Sequence, residues 1–311
     1  MATKPSWLTV SPMSGSGNDT LQNTASVHTG RLVRTGTVTV TAVGVSLPKT
    51  YSVTQEAKAE FISIDNGSSM AAEKGGGTVT VTGKSNSAAL TFAWVGDDHE
   101  ATIAAKYTAG GKQTNNSEAI DGDPGGSAEY SWSVGLTLPA NTTVEQIDRT
   151  LKVSNGSSIS QQIVIEQTAG DATLSLSEES ITIPSDGSAV SVTVTSNTSW
   201  TVSQLFDMEK IIPWDIGGGN LHLSYTGQGT GDLQIWSDTR NYTGKIRQKS
   251  VRLQTKEGNI AIELLVSQQC YKAYVEGNIL LFTDAIRVYI IDSNLNIDDK
   301  EVYVTNATIH I

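Results

Sequence analysis

Ala189-Val190-Ser191-Val192-Thr193-Val194-Thr195 sets valine at every second position, with serine or threonine between. A strand turns successive side chains to opposite faces, so the valines make an apolar face and the hydroxyls a wet one. β-Branched residues suit a half-buried pleated surface and are mediocre in helices. Thr37-Val38-Thr39-Val40-Thr41 and Thr78-Val79-Thr80-Val81-Thr82 repeat the pattern. Turn clusters lie between such runs: Ser14-Gly15-Ser16-Gly17-Asn18-Asp19, Gly75-Gly76-Gly77, Asn155-Gly156-Ser157 and Ser185-Asp186-Gly187. Short strands with frequent turns predict an all-β chain of tandem immunoglobulin-like sandwiches, about 100 residues each. No helix of four turns is expected. Thr142–Ile147 and Leu205–Ile212 read as single helical turns.

An internal repeat sets the organisation. Tyr51-Ser52-Val53-Thr54-Gln55, Ile163-Val164-Ile165-Glu166-Gln167 and Leu264-Leu265-Val266-Ser267-Gln268 are alternating strands that close on Gln. Each follows a strand introduced by basic residues: Arg31 and Arg34, Arg149, Lys245 and Arg247. A front half recurs as Phe61–Val95 and as Leu174–Val202. These repeats predict a partial module at 1–58, a module at 59–170 with an insertion near 110–135, a module at 171–270, and a C-terminal β segment at 271–311. The first copy holds only a back half. A sheet of two or three strands is marginal alone and leaves unpaired edges. It is expected either to stand as a small sheet or to be completed by strands from 271–311, of the same chain or of a neighbouring subunit.

Composition narrows the function. Lys+Arg is 21 and Asp+Glu is 32, a formal charge of −11 in 311 residues. An acidic chain lacks the clustered cations that nucleic acid needs. One cysteine permits no internal disulfide and no cysteine-based zinc site. No apolar run approaches the roughly 20 residues that span a bilayer. The opening Met1–Trp7 has no charged start followed by an apolar stretch, which points to a protein made without export.

No catalytic constellation is found: no nucleophile elbow, phosphate loop or zinc-protease helix motif. Asp97-Asp98, Glu178-Glu179 and Asp298-Asp299 are adjacent acids, which a strand points to opposite faces. They read as solvated turn acids. Asp292-Ser293-Asn294-Leu295-Asn296-Ile297-Asp298 spaces oxygen ligands as a calcium loop does, but lacks its glycine and closing glutamate. Asp121 and Asp123 are a weaker version. No metal and no cofactor is expected. Trp7, Trp94, Trp132, Trp200 and Trp214 read as core. Trp236 and Tyr242 are the candidate ligand contacts, because an aromatic in polar surroundings can stack a sugar ring or a partner subunit. Asn141-Thr142-Thr143 and Asn306-Ala307-Thr308 match glycosylation acceptors and read as ordinary polar β composition.

Trp7-Leu8-Thr9-Val10-Ser11-Pro12, Ser14-Gly15-Ser16-Gly17, the arginine before an alternating strand, the closing Val53-Thr54-Gln55, and Ser199-Trp200-Thr201-Val202 after Asn197 resemble the BACON domain. The resemblance covers 1–58 and 171–204, is looser at 59–170 and 205–270, and is absent at 271–311. It implies an immunoglobulin-like sandwich of the kind found in gut Bacteroidales and in their phages. In phages similar to the crAss group it implies a virion component: a capsid decoration protein, or a head-fibre part. Such a protein assembles in the host cytoplasm and contacts the major capsid protein or neighbouring copies. A carbohydrate- or mucin-binding protein of the bacterial cell surface, or a tail-fibre component, is the alternative.

Overall fold

The computed structural model describes residues 2–156, 158–202, 209–241, 243, 245–256 and 259–270, and the backbone of four strands within 273–303. The described chain is nearly all β. It divides into two compact units, 1–170 and 171–311.

The first unit opens with β1 (Ala2–Thr3), β2 (Leu8–Ser11), β3 (Gln22–Ala25), β4 (Arg34–Val40) and β5 (Lys49–Gln55). They form two small sheets, β1-β4-β5 and β2-β3. Alternation puts Leu8, Val10 and Val38 inside, with Trp7, Leu21, Val40, Tyr51 and Val53 half-covered around them.

The same unit continues with β6 (Ile62–Ile64), β7 (Ser69–Ala72), β8 (Gly77–Ser85), β9 (Thr91–Val95), β10 (Thr102–Ile103), β11 (Lys106–Ala109) and β12 (Lys112–Asn115). One helical turn, α1 (Pro124–Ser127), precedes β13 (Tyr130–Leu138), β14 (Ile147–Ser154) and β15 (Ser160–Gln167). One sheet runs β12-β11-β13-β8-β6, with β10 also on β13, and faces a second, β7-β15-β14-β9. Val81, Leu136, Leu151 and Ile165 are fully buried between them. The stretch read as an insertion divides here. Residues 112–129 form a hairpin arm and the α1 turn, whereas Tyr130 onward pairs with β8 along its whole length.

The second unit holds β16 (Leu174–Leu176), β17 (Ser180–Ile183), β18 (Val190–Ser196), β19 (Trp200–Val202), β20 (Glu209–Pro213), β21 (Asn220–Ser224), β22 (Gly231–Ser237), β23 (Arg247–Thr255) and β24 (Ala261–Gln268). Sheet β16-β18-β22-β21-β20 covers sheet β17-β24-β23-β19, the two-layer, immunoglobulin-like arrangement. The opening run behaves as its alternation requires: Val192 and Val194 are buried while Ser191, Thr193 and Thr195 are exposed. Further strands β25 (Ala273–Glu276), β26 (Ile279–Phe282), β27 (Arg287–Ile291) and β28 (Ile297–Tyr303) pair with one another in sequence order.

Neither expected helical turn forms in the described residues. Thr143 and Glu145 sit in a bend tied to Asn141, and Ile147 already begins β14. Glu209–Pro213 is strand, and residues 205–208 lie outside the described residues.

Candidate functional site

Trp236 sits on the outer face of β22, half-buried, because its neighbours Ile235 and Leu233 point into the core. The β21–β22 register sets His222 directly opposite Trp236 and Ile211 of β20 opposite His222. The His222 and Trp236 rings stack, centroids 5.1 Å apart and planes 17° from parallel. His222 thus takes one indole face, and a ligand is left the other face and the ring edge. Ile211, 53% exposed, continues the strip across the third strand.

Polar groups rim the strip. Asp238 lies 3.4 Å from His222 Nε2 and accepts from the Asn220 main-chain N–H at 2.6 Å and side-chain amide at 2.8 Å. Burial pushes the Asp238 carboxyl up, but these hydrogen bonds outweigh it and hold the group below its ordinary value. Farther along the same face, four residues from Trp236 on β22, Thr193 Oγ1 donates to Asp232. The surface could stack the apolar face of a ring and bond its polar edge. Trp236 was legible from the sequence. His222 and Ile211 were not, since only strand register makes them its neighbours. Tyr242 lies outside the described residues.

The other tryptophans are structural. Trp132, Trp200 and Trp214 are 2, 3 and 6% exposed, and Trp94 packs on the first unit's core. Trp7 lies under the Arg34 guanidinium at 4.6 Å. Among the described residues no group of three or more His, Cys, Asp or Glu side chains could hold a metal ion. Asp121 pairs with Lys112 at 2.7 Å and Asp123 with Arg31, so both acids of that weak calcium candidate are engaged by cations. Of the stronger candidate, residues 292–296 lie outside the described residues. A shallow cleft brings Glu179 near Glu263, but both side chains are exposed, and Glu263 accepts from Ser250.

The repeated basic residues and closing glutamines turn out to be bonded to one another. Arg34 donates to Gln55 Oε1, Arg149 to Gln167 Oε1, and Arg247 to Gln268 Oε1. Each glutamine amide then donates to carbonyls of a neighbouring loop: Ser26, Glu73 and Pro139, or Ser185 and Thr239. Burial pulls the Arg149 and Arg247 guanidinium groups below their ordinary value.

A second polar cluster joins 1–58 to 59–170. Arg31 grips both oxygens of Asp123 at 2.5 Å and reaches the Asn86 carbonyl at 3.2 Å. The Arg31 and Leu32 N–H groups donate to the Gly125 and Gly126 carbonyls, and Asn86 bridges the carbonyls of Thr29 and Ala59. The approach is too close for side chains. A Cβ on Gly30 would sit 2.5 Å from the Gly126 oxygen, and one on Gly125 would sit 2.2 Å from the Asn86 oxygen. The α1 turn is therefore the dock for the first module.

Residues 2–56 match the BACON family, described as a putative N-terminal binding domain. The match ends just before the Lys58–Ala59 side of this dock. Comparison with curated proteins found no match. Among solved structures, the chain is similar to domains 4–9 of the surface layer protein SbsC, at 14% identity, TM-score 0.26, covering 82% of this chain and 37% of that one. It is also similar to zebrafish RET cadherin-like domains 1 to 4, at 10% identity, TM-score 0.29, covering 86% and 65%. A titin immunoglobulin tandem matches at 15% identity, TM-score 0.30, covering 68% and 98%. The chain thus spans little more than a third of the surface-layer fragment. The described chain is all-β, in immunoglobulin-like two-layer sandwiches.

Proposed function

We propose that this protein is a non-enzymatic structural component of a phage virion, an auxiliary or decoration protein on the capsid or a head-fibre part. The observation that carries the reading is the junction at Gly30 and Gly125, where main-chain contacts, an ion pair and a buried asparagine hold 1–58 against 59–170. A displayed structural module needs such a fixed joint to its neighbour, whereas a flexible linker suits an enzyme's tethered binding module. The polar side chains that the repeat conserves within this chain serve the same end, since they bind strands to loops. The proposed partners are the major capsid protein or neighbouring copies, met as the virion assembles in the host cytoplasm. Mass spectrometry of purified particles tests this. A copy number tracking the major capsid protein is expected, and absence from particles would overturn the reading.

The His222–Trp236 strip with its Asp238 rim favours a second reading, a carbohydrate-binding protein of a Bacteroidales cell surface. A glycan array with the intact chain tests it. Binding to sugars with an apolar ring face supports it, and a blank array removes it.

A further inference from the structure

Both complete modules cover the outer edge of their last strand, and the first module does not. β7 runs parallel to β15, with Ser69 opposite Val164 and Ala72 opposite Gln167. β17 runs parallel to β24, with Ser180 opposite Leu265 and Ile183 opposite Gln268. In each pair the last strand donates backbone N–H groups outward: Val164 to Ser68 and Thr168 to Ala72, Leu265 to Glu179 and Gln269 to Ile183. Aligned on the closing glutamine, the outward-facing positions of β5 are Thr50, Ser52, Thr54 and the Glu56 that follows it. Among the described residues no strand pairs with that edge.

The edge is long and unguarded. β5 has seven residues, whereas the other edge strands within 2–270 have five or fewer. Folded proteins blunt a free edge with charge, proline or a bulge. Thr50–Gln55 carries no charge and no proline, and its register on β4 is unbroken. The side chains show the same gap in the layer. Ile163, Ile165 and Gln167 are at most 1% exposed, and Leu264, Val266 and Gln268 are at 0%. Their counterparts Tyr51, Val53 and Gln55 are only half-buried.

The sequence of this edge is complementary to itself. A two-fold axis normal to the sheet lays a second β5 alongside with both apolar faces on one side, and it sets the strands antiparallel. With Ser52 on the axis, Tyr51 falls opposite Val53 of the second copy, an aromatic against a β-branched residue on the apolar face. On the polar face Thr50 falls opposite Thr54. Lys49 falls opposite Gln55, so no like charges oppose each other. The outward groups of Thr50, Ser52 and Thr54 then form the hydrogen-bonded pairs of the new ladder. Pro48, which has no N–H, falls opposite Glu56 and ends it. We propose that the first module pairs copies of this chain, β5 against β5 about Ser52, so that two β1-β4-β5 sheets join into one. Main-chain bonds supply the attraction, and the Tyr51–Val53 pairs and Pro48 set the register. The pairing gives the neighbouring copies proposed above a defined surface. It stands on the strand edge and does not require the chain to be a virion protein.

The test is a register-specific disulfide in the full chain, with Cys270→Ser to remove the native thiol. Ser52 and its mate are a hydrogen-bonded pair with Cα atoms about 5.5 Å apart, within the roughly 4.4–6.8 Å that a disulfide spans. The two copies of Thr54 lie roughly 14 Å apart along the strands, beyond that reach. On mild oxidation Ser52→Cys should give roughly ten-fold more covalent dimer than Thr54→Cys alone. A mixture of Thr50→Cys and Thr54→Cys chains should restore the yield. Equal yields from all three, or no dimer, overturn the pairing. Sedimentation supplies a second measurement. Ser52 is exposed, so Ser52→Lys should fold, and it sets two cations opposite each other across the axis. Its dimer Kd should rise roughly ten-fold. Thr50→Lys with Thr54→Glu in one chain places opposite charges across the interface and should lower the Kd. An unchanged Kd in both overturns the proposal. Hydrogen exchange tells a second copy from cover within one chain. The Ser52 and Thr54 amides should lose protection on dilution, and protection that ignores dilution overturns the second copy. All these readouts use purified protein, so the pairing and the virion assignment fail separately.

Discussion

Arg149 Nη1 donates to Gln167 Oε1 at 2.7 Å, with Arg149 1% and Gln167 0% exposed. Two further Arg149 donors, Nε and Nη2, take the Asp98 and His99 carbonyls at 2.7 and 3.2 Å. That loop carries left-handed backbone at His99 and Glu100, φ 45° and 63°, which non-glycine residues rarely adopt. The arginine is thus the loop's anchor. The glutamine is required in kind: it accepts from the cation through oxygen and donates to Glu73 and Pro139 through nitrogen. Glutamate would strengthen the first contact and turn the second into repulsion between oxygens.

Gln167→Glu is therefore expected to destabilise, by about 2 kcal/mol, despite creating a formal ion pair. Arg149→Met should cost about 3 kcal/mol, because it strands buried acceptors. Denaturant unfolding measures both. A more stable Gln167→Glu variant contradicts the clasp.

Much of this fold is visible along the chain, and the misses share a cause. Val192 and Thr193 declare their faces by alternation alone, and the closing glutamines recur plainly. Their bond to the arginines is not visible, since the two lie on different strands and only register joins them. Tyr130-Ser131-Trp132-Ser133-Val134 alternates as well as any strand here. It falls inside the expected insertion because the glycine- and asparagine-rich arm before it breaks the repeat. The turn read as helical at Thr142–Ile147 misled for a local reason. Asn141 accepts from Thr143 and donates to the Glu145 carbonyl, a short-range pattern that imitates a helix start. Trp236 was found as an aromatic among polar residues, but its partner His222 is 14 positions away and meets it only across the sheet.

The junction should weaken in acid. Hydrogen bonds from Arg31 hold the Asp123 carboxyl below its ordinary value, against a smaller upward push from burial. A carboxyl whose folded pKa is depressed adds stability above its unfolded value, near 3.9, and loses it as pH falls through the folded value. Limited proteolysis at the 56–60 connection should accelerate as pH drops below about 4. Asp123→Asn should raise cleavage at neutral pH and flatten the acid dependence. Asp123 is 40% exposed, so the pair is screened and the effect is modest. Identical acid profiles for variant and wild type would show that the ion pair does not hold the joint.

Asn141 and Asn241 sit in the same trap. Each accepts from the N–H and hydroxyl of the residue two ahead, Thr143 or Thr243. Each donates to a carbonyl four ahead and to one at the module's closing strand, Glu145 with Thr168, Lys245 with Gln268. Asn241-Tyr242-Thr243 has the same acceptor form as Asn141-Thr142-Thr143. Asn141 is 5% exposed and Asn241 0%, so neither is open in the folded chain. Already folded protein, exposed in vitro to an oligosaccharyltransferase, should stay unmodified at both, as read by glycopeptide mapping. Asn241→Asp loses both donated bonds and should cost about 2 kcal/mol. A glycan on Asn141 of a folded molecule contradicts this burial.

Trp236 separates the two functional readings. Its indole makes a cross-strand stack with His222 on an outer face, so Trp236→Ala should cost roughly 1 kcal/mol or less. The core below, Leu221, Leu223, Leu233 and Ile235, is fully buried without it. The variant should fold, and its thermal midpoint should fall by only a few degrees. On the glycan reading Trp236→Ala loses array binding while Trp236→Phe retains part of it, since a smaller ring still offers a stacking face. On the virion reading incorporation into particles is unchanged by either substitution. Loss of incorporation with Trp236→Ala, in a chain that still folds, would instead make the β20–β21–β22 face the contact with the capsid.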